Sequence, residues 1–87
     1  MRVFNITDVP NRALEHQGLV NVSVKVGATV VGPGESVVLR GTAKERSDIS
    51  SLLRRGAVVV DQLPPSYAAK KGLMLDGSKK PDLSKRK

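Results

Sequence analysis

Between residues 19 and 39 the chain alternates between apolar and polar positions. Val20, Val22, Val24 and Val26 fall on one side of a period-two pattern, and Asn21, Ser23 and Lys25 fall on the other. That spacing predicts a strand with one face buried. Gly27-Ala28 interrupts it, residues 29–31 resume it, Gly32-Pro33-Gly34 forces a turn, and residues 36–39 run apolar again. The stretch therefore predicts a meander of strand, turn, strand, turn and strand.

The flanks add shorter elements. Val3-Phe4-Asn5-Ile6 reads as an opening strand, stopped where Pro10 removes a backbone donor and biases Val9 to an extended conformation. Residues 12–17 fit one or two helical turns, with Asn11 as N-cap and Gly18 as C-terminal stop. Thr42 and Glu45 have the spacing of a capping box, with Ser47 and Asp48 as a second N-cap option. Ile49, Leu52 and Leu53 then recur at i, i+3 and i+4, Arg54 and Arg55 sit where cations favour the helix dipole, and Gly56 suits a left-handed stop. Residues 57–60 form an unbroken apolar run, a strand returning to the sheet. Pro64-Pro65 favours an extended exit, with Tyr67 as an anchor where the chain leaves the domain.

The expected fold is mainly β: a small antiparallel sheet or partial barrel covered by one short helix, with Val22, Val24, Leu39, Ile49, Leu52 and Val59 in its core. The expected division is a β-rich domain over residues 1–67 and an extended basic C-terminal arm over residues 68–87. Beyond Gly72 only Leu73, Met74, Leu75 and Leu83 are apolar, too few to offset the entropy of ordering that segment alone.

Composition narrows the chemistry. A single domain of 87 residues with two aromatics, Phe4 and Tyr67, has a thin aliphatic core, and with no cysteine it has no disulfide or thiolate site to reinforce it. His16 alone, without ligands at a recognisable spacing, does not make a zinc site, and a solvated surface histidine is the expectation. No metal or cofactor is expected. No Gly-rich phosphate loop follows a strand, no pair of the eight acids is placed to split acid and base roles, and Ser50-Ser51 lacks a partnered base. These features speak against an enzyme. With no apolar run near 18 residues and no signal-peptide pattern, the chain reads as cytosolic at synthesis, without a membrane role.

The net charge of +7 is unevenly placed. Residues 1–67 carry eight Lys or Arg against six acids, a net of +2, whereas residues 68–87 carry seven against two, a net of +5. Two readings of this segment compete. Lys70, Lys71, Lys79, Lys80, Lys85, Arg86 and Lys87 can neutralise nucleic-acid phosphates, or they can lie along an acidic protein surface. Leu73, Met74, Leu75 and Leu83 are interleaved with the charges, and together with Tyr67 they would anchor on a neighbouring subunit, which favours the protein surface. No recognition helix or stacking platform accompanies the lysines, so sequence-specific nucleic-acid readout is not expected. Arg54-Arg55 as a phosphate clamp is the weaker alternative to their role at the helix end.

The order of features also resembles a known pattern. Pro33-Gly34-Glu35-Ser36-Val37-Val38-Leu39, then Asp48-Ile49, Leu52-Leu53 and Gly56-Ala57-Val58-Val59-Val60 with a proline-rich exit, is similar to small structural proteins of tailed bacteriophages, as is the opening Val3-Phe4-Asn5-Ile6-Thr7. The resemblance covers about two thirds of the chain and leaves out the basic segment from Lys70 onward. It implies a non-enzymatic virion component, a capsid decoration or minor capsid protein that binds the major capsid protein, present as several copies, with a head-tail or tail position as the variant. It implies host cytoplasm before assembly and the capsid afterwards. The alternative class is a small basic nucleic-acid-binding protein.

Overall fold

The computed structural model describes residues 1–79. In chain order the elements are β1 (Arg2–Asn5), α1 (Arg12–Gln17), β2 (Val24–Val26), β3 (Thr29–Val31), β4 (Ser36–Val38), α2 (Ala43–Arg55), β5 (Val58–Val60) and α3 (Pro65–Lys71). β1 lies at the centre of a three-stranded antiparallel sheet ordered β4-β1-β5, and β2 and β3 form a separate antiparallel pair.

Strand alternation on β1 gives the molecule two cores. Val3 lies opposite Val37 on β4 and Val60 on β5, while Phe4 lies opposite Ser36 and Val59. Because successive side chains point to opposite faces, Val3, Val37, Val58 and Val60 face the larger core with Leu14, Val24, Val26, Val31, Leu39, Ile49 and Ala57. Phe4 and Val59 face the other, with Ile6, Leu63, Tyr67 and Ala68. Helices α1 and α2 and the β2-β3 hairpin thus cover one side of the sheet, and α3 covers the other. Leu14 is fully buried, a burial that stabilises by roughly 2 kcal/mol against leaving it in water.

The helix termini follow the sequence closely. Asn11 Oδ1 accepts from the Leu14 amide at 2.9 Å, and Gly18 closes α1 in the left-handed region. On α2 the capping box is complete: Glu45 N–H donates to Thr42 Oγ1, and Glu45 Oε1 accepts from the Thr42 and Gly41 amides. Thr42, not Ser47 or Asp48, is therefore the N-cap. These backbone donors, first that of Thr42, hold the Glu45 carboxyl below the usual range. Asp48 instead reaches across to the hairpin turn, where its Oδ2 accepts from Gly27 N–H at 2.8 Å, and that bond depresses its pKa.

Three expectations need correction. Among the described residues the content is mixed α/β, with three helices in place of one, and the two small sheets do not form a barrel. The third strand of the meander leaves its neighbours: β4 pairs with β1, 32 to 36 residues distant in sequence, not with β3. The alternating valines make a strand only over Val24–Val26. Upstream, the Val22 amide donates to Thr7 Oγ1 and its carbonyl accepts from Asn5 Nδ2, so side chains of the first strand region take the place of a ladder there, and Asn21 turns to a φ of 54°. Residues 67 and 68, between which the sequence suggested a division, both lie in α3, and a bridge joins Leu73 to Lys79. Of the expected core, Val24, Leu39 and Ile49 are buried, while Val22, Leu52 and Val59 are half-buried.

Candidate interaction surface

The candidate surface is built on α3 and the turn that follows it. Pro65 at the first helical position needs no amide partner and has φ preset for a helix. Tyr67 and Ala68, adjacent on the inner side, bury against Phe4, Ile6 and Leu63. Gly72, at φ 68°, ends the helix and donates back to the Ala68 and Ala69 carbonyls. The chain then reverses through a tight loop in which Met74 N–H donates to Ser78 O, Gly77 N–H donates to Met74 O, and Leu73 bridges to Lys79. Asp76 fixes this loop by accepting from the Ser78 amide and hydroxyl at 2.9 and 2.6 Å, which holds its carboxyl below the usual range. Leu63 N–H donates to Leu75 O at 2.7 Å and ties the loop to the segment leading into α3.

One electrostatic contact locks α3 to the body. Tyr67 Oη donates to Asp8 Oδ1 at 2.7 Å, and Lys71 Nζ donates to Asp8 Oδ2 at 2.6 Å. Burial alone would raise the Asp8 carboxyl, but the Lys71 ammonium and the Tyr67 hydroxyl outweigh it and hold the group low. Burial, and then the charge and hydrogen bond of Asp8, push the Tyr67 phenol well above its ordinary value.

This arrangement sorts the residues proposed from sequence. Tyr67 is buried and occupied by Asp8, so it anchors the chain's own helix and offers little to a neighbour. Lys71 is committed to the same carboxylate. Lys70 is exposed and lines a small cavity of about 100 Å³ with Ile6, Val9, Asn11, Ser66 and Tyr67. Leu73 is half-buried against the second core, whereas Met74 and Leu75 are 45% and 44% exposed. These three line an open apolar groove of about 350 Å³ with Pro65, Ala68 and Ala69. Lys79 is exposed beside Leu73. Lys80, Leu83, Lys85, Arg86 and Lys87 lie outside the described residues.

Asp8 and Ala69 were not singled out in the sequence, and Pro65, read there as part of an extended exit, instead opens α3. Asp8 is 59 residues from Tyr67, and no local spacing announces such a pairing. Elsewhere, His16 is exposed on α1 and forms a shallow depression with Arg12 and Glu15. Among the described residues no group of three His, Asp or Glu is placed to hold a metal ion, and no helix is long and apolar enough to cross a membrane. The groove is suited to receiving an apolar side chain of another molecule. Comparison with protein-family models, with curated proteins and with solved structures found no match for this chain.

Proposed function

We propose that the protein is a non-enzymatic structural subunit of a tailed-phage virion, a capsid decoration or minor capsid protein that binds the major capsid protein shell. The observation that carries this reading is the apolar groove beside α3: Met74 and Leu75 are left in solvent on a loop that is firmly tied down, with Lys70 and Lys79 exposed nearby. A held apolar strip is pre-organised for a partner, because little entropy remains to be lost on binding. The phage-like order of the PGE turn, the Asp48-Ile49 helix and the Gly56-Ala57-Val58-Val59-Val60 strand supports the virion setting. A domain with two small cores gains stability from neighbours on a shell.

The test is co-sedimentation of the purified protein with phage capsids that lack it. Binding should be lost in Leu75→Asp, with the circular dichroism spectrum unchanged. A wild-type protein that binds no virion part would overturn the reading. Should it instead retard duplex DNA at low salt and release it as salt rises, the nucleic-acid reading takes its place.

A further inference from the structure

We propose that the outer edge of β4 pairs antiparallel with the same strand of a second copy of the chain, joining two three-stranded sheets into one sheet of six. The proposal starts from the ladder between β1 and β4. Met1 and Leu39 exchange both backbone bonds, at 2.9 and 2.7 Å, and Asn5 N–H donates to Glu35 O. Alternation along an antiparallel ladder then makes Val3 and Val37 the bonded pair between them. Ser36 and Val38 consequently turn their N–H and C=O groups away from β1, to a side where, among the described residues, β4 has no neighbouring strand.

Those groups lie in solvent. Ser36 is exposed, and Val38, at 66%, is the most exposed large apolar residue among those described. Edges of this kind are usually blocked by a lysine, a proline or a bulge, and residues 36–38 contain none. The other edges are better guarded. On β5, Val58 is buried and the Val60 carbonyl already accepts from Gln62 N–H at 2.7 Å. The outward position of β2 is Lys25, and β3 offers one residue, Val30.

A second copy fits this edge through its own symmetry. An antiparallel pairing centred on Val37 sets Ser36 opposite Val38 of the second copy, and Val38 opposite its Ser36. All four outward groups on each strand are then bonded, the two Val37 residues face each other as a non-bonded pair, and the two Val38 side chains become diagonal neighbours on one face. Charge selects the same orientation. The strand is flanked by Glu35 at its start and Arg40 at its end; an antiparallel copy sets Glu35 opposite Leu39 and Arg40 opposite Gly34, so that no like charges meet, whereas a parallel copy in register would stack Glu35 on Glu35 and Arg40 on Arg40. The interface is isologous and closes at two chains. It is independent of the capsid reading, which rests on the groove beside α3.

The chain's lack of cysteine makes the test clean. Directly opposed positions of a non-bonded pair lie about 4.5 Å apart at Cα, within reach of a disulfide. Val37→Cys should therefore oxidise to a linked dimer at least about tenfold faster than Val30→Cys, because pairing raises the local thiol concentration. Wild-type protein should show concentration-dependent dimers in sedimentation equilibrium, and Val38→Lys should abolish them with its circular dichroism spectrum unchanged. The sedimentation arm stands even if Val37→Cys folds poorly. A strictly monomeric wild type, equal oxidation rates for the two cysteine variants, or dimers that persist in Val38→Lys would each overturn the proposal.

Discussion

Tyr67 donates a 2.7 Å hydrogen bond to Asp8 across 59 residues of chain, and this contact joins the C-terminal helix to the loop that leaves the first strand. Its partner Lys71 takes the other carboxylate oxygen one helical turn later. Removing the hydroxyl in Tyr67→Phe leaves the ring in its core and Asp8 with one strong partner. It should cost about 1 kcal/mol of stability, the net worth of a hydrogen bond to a charged group at a half-wet site. Urea unfolding of the two proteins measures it.

The same contact sets a pH dependence. The Asp8 carboxyl is depressed in the folded protein, so the unfolded chain binds more protons in acid, and stability must fall as pH drops below about 4, the ordinary carboxylate value. Glu45, Asp48 and Asp76 are depressed too and add in the same direction. Tyr67 shifts the opposite way, favouring its neutral form, so stability must also fall above about pH 10, where the unfolded chain can lose that proton. Thermal melts across pH should show Asp8→Asn flattening the acid limb in part and Tyr67→Phe flattening the alkaline limb. An Asp8→Asn curve parallel to wild type throughout the acid range would contradict the assignment.

Asn5 is the second predicted weak point. It is fully buried, and its Nδ2 donates to the Val22 and Val31 carbonyls at 2.8 and 2.9 Å while its Oδ1 accepts from the Thr7 amide and hydroxyl. One amide thus fastens the central strand to both the loop before β2 and the end of β3. Asn5→Ala strands the Thr7 amide and the Val31 carbonyl away from water and should cost about 3 kcal/mol. Thr7→Val should cost less, about 1–2 kcal/mol, since Asn5 keeps its two carbonyls. The double variant should be less destabilised than the sum, because both singles break the same bond.

These two polar anchors mark where the sequence stops being legible. Caps are local, so Asn11, Gly18, Thr42, Glu45 and Gly56 could be placed from spacing alone, and α2 followed from Ile49, Leu52 and Leu53. Strand partners are not local. The alternation over residues 20–26 suits a strand, yet its first half is captured by Asn5 and Thr7, of which Asn5 reads in the sequence only as a position of the opening strand. The apolar run at residues 36–39 was legible as a strand, but nothing in it says that it crosses to β1. At the candidate surface, Met74 and Leu75 are exposed, whereas Tyr67 read as an exit anchor because its acceptor lies near the other end of the chain.

Gly77 should prove the most sensitive residue of the C-terminal turn. Its φ is 91°, a region open to glycine and costly for a side chain. A Cβ built there would also stand 2.5 Å from Cε2 of Phe4, a ring packed in the second core that has no free direction in which to retreat. The two penalties act together, so Gly77→Ala should shift the 73–79 loop off the Phe4 ring instead of straining in place. The expected loss is about 2 kcal/mol, from backbone strain and forfeited packing. Because the loop holds the Leu63 amide through the Leu75 carbonyl, exchange of that amide with deuterium should accelerate by an order of magnitude or more, while amides in β1 keep their protection relative to global stability. The groove built from Leu73, Met74 and Leu75 would be lost with the loop. A Gly77→Ala protein with wild-type stability and an unchanged Leu63 exchange rate would show that this loop does not rest on Phe4.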